Sequence, residues 1–172
     1  GAGKSLTARA VIGLLPPAIR TSGGQILIGE TSVLDATADE LRRLRGSTVS
    51  YIPQDPLRAL NPVRRVGDLF DEVLSRHGFG KMRDRREHTV RCLERVGLSA
   101  EVRRRFAHEL SGGMRQRALI AMAISVDPLL IIADEPTSAL DVTVQLQVLS
   151  ILDKLVSQRG MGLIFVSHVI AP

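Results

Sequence analysis

The fold of this chain is decided by the stretch Leu129-Leu-Ile-Ile-Ala-Asp-Glu-Pro-Thr-Ser-Ala-Leu-Asp141. Its first five residues form a short apolar run, typical of a strand buried on both faces of a parallel sheet. Asp134 and Glu135 then stand at the carboxyl end of the strand, where open α/β sheets bind their ligands. Successive strand side chains point to opposite faces, so both acids can serve one site only if the chain leaves strand geometry here. Pro136 favours that departure, because it disfavours helical backbone at the preceding residue.

Two further apolar runs end in polar side chains. Gln54 follows the predicted strand from Val49 to Ile52, and His168 follows the run that starts at Gly162. The carboxyl ends of parallel strands share one edge of a sheet, so we expect these two side chains to lie near Glu135.

The start of the chain, Gly1-Ala-Gly-Lys-Ser5, matches the end of the P-loop pattern. In that pattern glycines let backbone N–H groups approach phosphates, and the following helix presents its positive end. We predict this helix from Lys4 to Leu15, stopped by Pro16-Pro17. The sequence contains neither the first glycine of the pattern, nor a preceding strand, nor an initiator methionine. We therefore expect the chain to be an internal fragment.

A second helix start of the anion-binding kind lies in Leu110-Ser-Gly-Gly-Met-Arg-Gln-Arg117. Ser111 is a candidate N-cap for an apolar-rich helix from about Met114 to Ser125. Asp141 is a candidate N-cap for the next helix, which we predict to run to about Ser157.

The remaining segments are predicted from glycine punctuation and helical spacing. Thr21 to Leu34 is strand and turn material, and helices are expected from Asp68 to His77 and from Asp84 to Val96. In the helix after Asp141 one apolar stripe, most simply a core-packing face, contains Val144, Val148, Ile151 and Leu155.

Each motif has an ordinary structural alternative when taken alone. The acid pair could be a solvated turn, the glycine-rich start a flexible terminus, and the segment around Gln54 a proline-rich surface loop. His168 could be structural, and Ser111 could cap a helix without binding a ligand. The occurrence of all these motifs in one chain favours a phosphate site over the separate alternatives.

Composition narrows the setting. The net charge of +5 and the pI near 10.3 would suit nucleic-acid binding, but only 3% of residues are aromatic. Acids interleave with the basic cluster between Lys81 and Arg105, so a solvated helical face or a surface near acidic lipid or partner groups is the better account. Cys92 is the single cysteine, which excludes an internal disulfide and suits a reducing compartment. No apolar stretch approaches the roughly 20 residues that span a bilayer.

Taken together, these motifs resemble those of ABC-type ATPases. With Tyr51-Ile-Pro-Gln-Asp-Pro and Ala59-Leu-Asn-Pro62 included, the chain is similar to the ATP-binding subunits of dipeptide and oligopeptide importers, with nickel importers close by. Val169 departs from the pattern, since the family usually has aspartate there. The resemblance implies one nucleotide-binding domain over residues 1–172 with a P-loop NTPase (RecA-like) α/β fold. Its mostly parallel core would carry a small antiparallel β part and an inserted helical subdomain, approximately residues 66–107 plus the start of the signature helix.

The resemblance also implies the ligands, ATP and Mg²⁺, and a role for each motif residue. Glu135 would be the general base, with Gln54 and His168 also at the attacking water, and Ser5, Gln54 and Asp134 would surround the magnesium. The phosphates would be bound by Gly1, Ala2, Gly3, Lys4, Ser5 and Leu6. The nucleotide of a second subunit would be covered by Ser111, Gly112, Gly113 and Asp141.

The implied partners are integral membrane permease subunits, a second ATP-binding subunit and, indirectly, an extracytoplasmic solute-binding protein. The implied location is peripheral, at the cytoplasmic face of the cell membrane, and no nucleic acid is expected. Two alternatives stay open on the sequence: a soluble ABC ATPase that acts on ribosomes or nucleic acid, and a fragment without activity of its own.

Overall fold

A computed structural model describes residues 2–138 and 140–167 of the chain. In chain order the elements are helix α1 (Ala2–Val11), strands β1 (Leu27–Ile28) and β2 (Thr31–Ser32), helix α2 (Ala38–Ser47), strand β3 (Val49–Ile52), helices α3 (Pro56–Ala59), α4 (Val66–Arg76) and α5 (Met82–Arg95), 3₁₀ turns at Ala100–Arg104 and Ala107–Glu109, helix α6 (Gly112–Ile124), strand β4 (Leu130–Asp134), helix α7 (Val142–Arg159) and strand β5 (Gly162–Val166).

The three longer strands form a parallel sheet in the order β3-β4-β5, and β1 and β2 form a separate antiparallel pair. Central strand β4 is buried from Ile131 to Asp134, as its apolar run predicted. Strand β5 is less buried than its apolar run indicates, because Ile164 and Phe165 are 39% and 38% exposed. An apolar run alone does not distinguish a central strand from one at the edge of the described sheet.

The two faces of the sheet pack against different helices. Ile131 and Ala133 belong to a core that also contains buried residues of α4, α5, α6 and α7. Ile132 points the other way, into a smaller core with Ala8 of α1, Ile12 just after it and Leu44 of α2. Because side chains alternate along a strand, Asp134 lies on the same face as Ile132 and therefore faces α1.

Helix α1 ends earlier than predicted, at Val11 instead of Leu15. Gly13 adopts the left-handed conformation, with φ of 63°, which stops the helix before the prolines do. The guanidinium of Arg45, in the last turn of α2, donates to the carbonyls of Ile12 and Gly13, at 2.8 and 2.7 Å, and so holds the turn that follows α1.

Helix α2 was not predicted, although the sequence carries its start signal. Thr37 accepts a hydrogen bond from the Glu40 backbone, and the Glu40 carboxylate accepts one from the Thr37 backbone, which together make a capping box. The helix has few apolar residues and Leu44 is its buried one, so helical periodicity gave almost no signal.

The other predicted elements are confirmed, with ends that differ by one or two residues in most cases. In α7, Val148 and Leu155 of the predicted stripe are buried, and Gly160 caps the helix with φ of 64°. In the described part of the chain, none of the helices has the length and apolar character needed to cross a membrane.

Helices α6 and α7 approach each other closely at their starts. Ser111 caps α6 by accepting from the Met114 N–H, and Asp141 caps α7 by accepting from the Val144 N–H, so both predicted caps are confirmed. A Cβ added at Gly113 would lie 2.5 Å from Cγ1 of Val144, whereas one added at Gly112 would meet Leu140 Cδ2 at an ordinary 3.9 Å. Only glycine therefore allows this approach at position 113.

We predict that Gly113→Ala lowers the free energy of unfolding by about 1–3 kcal/mol, because Val144 is β-branched and cannot easily turn away. Gly112→Ala is the matched control, and it should be neutral or stabilising by up to about 1 kcal/mol, since alanine is the better helix former. Urea denaturation of the two variants tests this prediction. It would be contradicted if both alanines had the same effect, or if Val144→Ala failed to relieve the Gly113→Ala defect.

Candidate functional site

The chain leaves strand geometry at Glu135, which has φ of 49°. Left-handed backbone costs a residue other than glycine on the order of 1–3 kcal/mol, and such strain persists where the surroundings impose it. Here the Glu135 N–H donates to the carbonyl of Val166 at 2.9 Å, and the Ser138 N–H donates to the Glu135 carbonyl at 3.2 Å. The turn that Pro136 predicted is present.

The carboxylate of Asp134 is held from two sides. Ser5 Oγ, on α1, donates to Oδ1 at 2.9 Å, and the hydroxyl of Tyr51, on β3, donates to Oδ2 at 2.8 Å. Asp134 is only 1% exposed, so these donors rather than bulk water surround the carboxylate. The P-loop segment and the acid pair, 129 residues apart, therefore meet directly.

Gln54 and Glu135 also meet. Gln54 Nε2 donates to Oε2 of Glu135 at 2.9 Å, which joins the segment after β3 to the turn after β4. The shared strand edge predicted this contact between residues 81 positions apart. Glu135 is 7% exposed and Gln54 is exposed, so the pair lies at the rim of the buried acid site.

Lys4 reaches the end of the third strand. Its Nζ donates to the carbonyl of Ser167, directly after β5, at 2.8 Å. Gly3 and Lys4 are exposed at the start of α1, and a Cβ added at Gly3 would meet nothing within 4 Å. The space beside Gly3 is therefore open, and the N–H groups of a helix start suit an anion. The predicted site residues Gly1 and His168 lie outside the described residues.

The sequence motifs do not point to Tyr51, although its hydroxyl contacts Asp134. In the parallel register Tyr51 pairs with Ile132, which lies two residues before Asp134 and on the same face. The signal was therefore present in the alternation of β3, but recognising it required knowing that β3 and β4 are neighbours.

Burial raises the pKa of Tyr51 above its ordinary value of 10.0, and the hydrogen bond to Asp134 raises it further. Arg9 acts in the opposite direction and lowers the pKa of the phenol. Arg9 lies one helical turn after Ser5, so α1 brings a hydroxyl and a cation to the same acid site.

The donor set suits a magnesium–nucleotide complex. Ser5 Oγ and Asp134 Oδ1 are hard oxygen donors 2.9 Å apart at the start of a helix. Mg²⁺ in proteins is commonly held by one or two carboxylates together with substrate phosphates, and does not need an all-protein cage. No group of three or more histidine, cysteine or acidic side chains that could hold a metal occurs among the described residues.

The starts of α6 and α7 form a second group, in which Ser111 and Asp141 bond to N–H groups of their own helices. The side chain of Gln145 in α7 donates to the carbonyls of Thr137 and Leu140, at 2.9 and 3.1 Å. These two bonds tie the turn after Glu135 to α7.

Comparison with known proteins shows which family this chain resembles. A profile described as ABC transporter matches residues 1–138. An oligopeptide transport ATP-binding protein of Lactococcus lactis is 43% identical over 170 residues, covering 98% of this chain and 50% of the relative. A "Probable D,D-dipeptide transport ATP-binding protein" of Escherichia coli is 46% identical over 175 residues, covering 99% of this chain and 53% of the relative.

Among solved structures, a dimeric ATP-binding cassette in a post-hydrolysis state, bound to ADP and Pi, superposes with a TM-score of 0.84 at 28% identity. The match covers 98% of this chain and 71% of that structure. The fold is thus that of a P-loop NTPase, as predicted. More narrowly, the chain belongs to the ABC transporter family, and it spans about half the length of the curated relatives it matches.

The raised pKa of Tyr51 gives a prediction for the metal-free protein. The chain has one tyrosine and no tryptophan, so alkaline absorbance titration reports Tyr51 alone. The phenol should titrate above 10, with a lower pKa in Asp134→Asn and a higher one in Arg9→Met, because Asp134 raises and Arg9 lowers it.

The sign for stability follows from the same shift. The folded-state pKa lies above the unfolded value of about 10, so the stabilisation from the protonated phenol is complete below pH 10 and is lost as pH rises through the folded pKa. Equal shifts of the Tyr51 pKa in the same direction in Asp134→Asn and Arg9→Met would contradict the opposite roles given to Asp134 and Arg9.

Proposed function

We propose that this chain binds MgATP and hydrolyses it. The observation that carries the proposal is the cluster at the carboxyl edge of the sheet, where Ser5 contacts Asp134 and Gln54 contacts Glu135. A hydroxyl and a carboxylate next to a helix start suit a metal–phosphate complex, and a second carboxylate at the rim suits a base for water.

In this proposal the start of α1 binds the phosphates. Backbone N–H groups from Gly3 to Leu6 and the Lys4 ammonium supply the donors, with Gly1 and Ala2 leading into them. The Lys4 ammonium can exchange its bond to the Ser167 carbonyl for phosphate oxygens, which carry more negative charge. Ser5, Asp134 and Gln54 would hold Mg²⁺, which neutralises phosphate charge when bound.

Glu135 is proposed as the general base. Its carboxylate accepts from Gln54 Nε2, so the amide orients the base and keeps its own oxygen available for a water molecule. The left-handed turn aims Glu135 away from the Asp134 contacts, which separates the proton acceptor from the metal-binding oxygen. His168, which follows the segment after β5, is assigned to the γ-phosphate and the attacking water by the family resemblance.

We infer further that the working unit is a head-to-tail dimer. Ser111, Gly112 and Gly113 open a capped helix whose N–H groups suit an anion, and Asp141 opens its neighbour. One chain thus carries two helix starts for phosphate, of which α1 alone bonds to the acid cluster through Ser5. The cassette of similar fold is itself dimeric, which supports a dimer as the working unit.

The names of the relatives support peptide import as the process that hydrolysis drives. We propose that integral membrane permease subunits bind this chain at the cytoplasmic face of the membrane, and that a solute-binding protein delivers the peptide to the permease. Residues 66–107 with the start of α6 are proposed as the inserted helical subdomain that faces the permease.

In the protein as it is made in the cell, Glu135→Gln should lower ATP turnover by about 10²- to 10⁴-fold while keeping nucleotide affinity, because it removes the base but keeps the shape. The variant should accumulate as an ATP-bound dimer, visible by size-exclusion chromatography. Lys4→Ala is the contrasting variant and should weaken ATP binding itself by at least about tenfold. Full turnover in Glu135→Gln, or unchanged ATP affinity in Lys4→Ala, would refute the assigned roles.

Purification from native membranes tests the partner proposal. We expect integral membrane subunits to be recovered with the protein, and their recovery to survive nuclease treatment. Recovery of ribosomes or DNA in their place would support the soluble alternative and exclude import.

A further inference from the structure

We propose that Tyr51 is a positioning residue for the metal: its hydroxyl fixes Oδ2 of Asp134, so that Oδ1 stays beside Ser5 on the metal side. The inference rests on the proposed MgATP site and adds a residue that the P-loop and acid motifs do not include. Two distances carry it, 2.8 Å from the phenol to Oδ2 and 2.9 Å from Ser5 Oγ to Oδ1.

Aspartate does not fix this orientation by itself. Its terminal torsion is broad, so the carboxylate plane can rotate at little cost unless both oxygens are bound. Ser5 cannot supply the restraint alone, because it touches only Oδ1. A hydroxyl has one hydrogen and two lone pairs, so Ser5 can offer a lone pair to a metal while it continues to donate to Oδ1. The phenol restrains the other oxygen and takes no part in metal binding.

The phenol is a rigid donor. Tyr51 lies in β3 and packs against the smaller core on the α1 face, which fixes its ring. Its register position opposite Ile132 sets the hydroxyl beside Asp134 through backbone pairing instead of a flexible loop. Because Asp134 is 1% exposed, bulk water is a poor substitute for the phenol.

Positioning and charge predict opposite effects, which makes the inference testable. A donor on Oδ2 withdraws charge from the carboxylate, so its loss would tighten metal binding if charge were the dominant effect. If orientation dominates, Tyr51→Phe weakens metal binding, because the freed carboxylate rotates. The sign of the change therefore distinguishes the two.

The test uses Mn²⁺ as the metal probe and ADP as a nucleotide that is not consumed, with the protein as it is made in the cell. Free Mn²⁺ is measured by electron paramagnetic resonance. Tyr51→Phe should weaken Mn²⁺ binding to the ADP complex by about tenfold, the effect of one lost hydrogen bond to a charged group. Its affinity for ADP in the presence of EDTA should be unchanged. Equal or tighter Mn²⁺ binding overturns the proposal.

Thr89→Val is the matched control, since Thr89 is 2% exposed and donates to the Arg85 carbonyl on α5, away from the acid cluster. Both variants lose one hydroxyl that donates a part-buried hydrogen bond and should lose stability, but Thr89→Val should keep wild-type Mn²⁺ affinity. A similar loss of Mn²⁺ affinity in Thr89→Val would mean that destabilisation alone explains the effect, and would overturn the proposal.

Two further measurements separate this inference from the proposed function. Mg²⁺ binding to the ADP complex should perturb the near-ultraviolet absorbance of Tyr51, measured as the part of the signal that Tyr51→Phe removes, and Asp134→Asn should abolish the change. In the Asp134→Asn background, Tyr51→Phe should cause no further loss of Mn²⁺ affinity, and additive losses overturn the proposal. A wild-type chain that binds neither ADP nor Mn²⁺ refutes both proposals, whereas wild-type metal binding that Tyr51→Phe leaves intact refutes only this one.

Discussion

The buried carboxylate of Asp134 is the constraint on which the site depends. An acid that is 1% exposed requires hydrogen-bond donors, and it obtains them from two elements distant in sequence, Ser5 on α1 and Tyr51 on β3. The Ser5 bond holds the start of α1 against the sheet, and the Tyr51 bond holds the other oxygen of the same carboxylate from β3. Since α1 also presents Lys4, the Ser5 bond aligns the helix start proposed for phosphate binding with the acid site.

The left-handed backbone at Glu135 directs the side chains of the adjacent acids Asp134 and Glu135 to different contacts. In a regular strand, Glu135 would face the opposite core, where an ionised carboxylate is costly. With φ of 49°, Glu135 instead meets Gln54 at the sheet edge. The strain is balanced by ordinary backbone bonds to Val166 and Ser138, which tie the turn to β5 and to the segment leading into α7. A backbone distortion at one residue therefore connects the acid site to the helix start at Asp141.

The alternation of side chains along β4 sets both the packing of the two cores and the geometry of the acid site. Ile131 and Ala133 hold the larger helices on one face, while Ile132 and Asp134 face α1 on the other. The close approach at Gly113 adds a second fixed point, because it joins the start of α6 to the start of α7. In the proposed dimer, these two helix starts would serve a nucleotide held by the partner, and a fixed distance between them would then matter for binding as well as for packing.

Local periodicity predicts the strands, most helices and the helix caps at Ser111 and Asp141. The shared edge of parallel strands predicts the contact between Gln54 and Glu135. The sequence does not predict the exposure of β5, since a central strand and an edge strand can carry the same kind of apolar run. It also missed α2, whose signal lay in a polar capping box, and the end of α1 at Gly13, which is set by a turn and by Arg45. Tyr51 was decided by tertiary structure alone, because only the pairing of β3 with β4 brings its hydroxyl to Asp134.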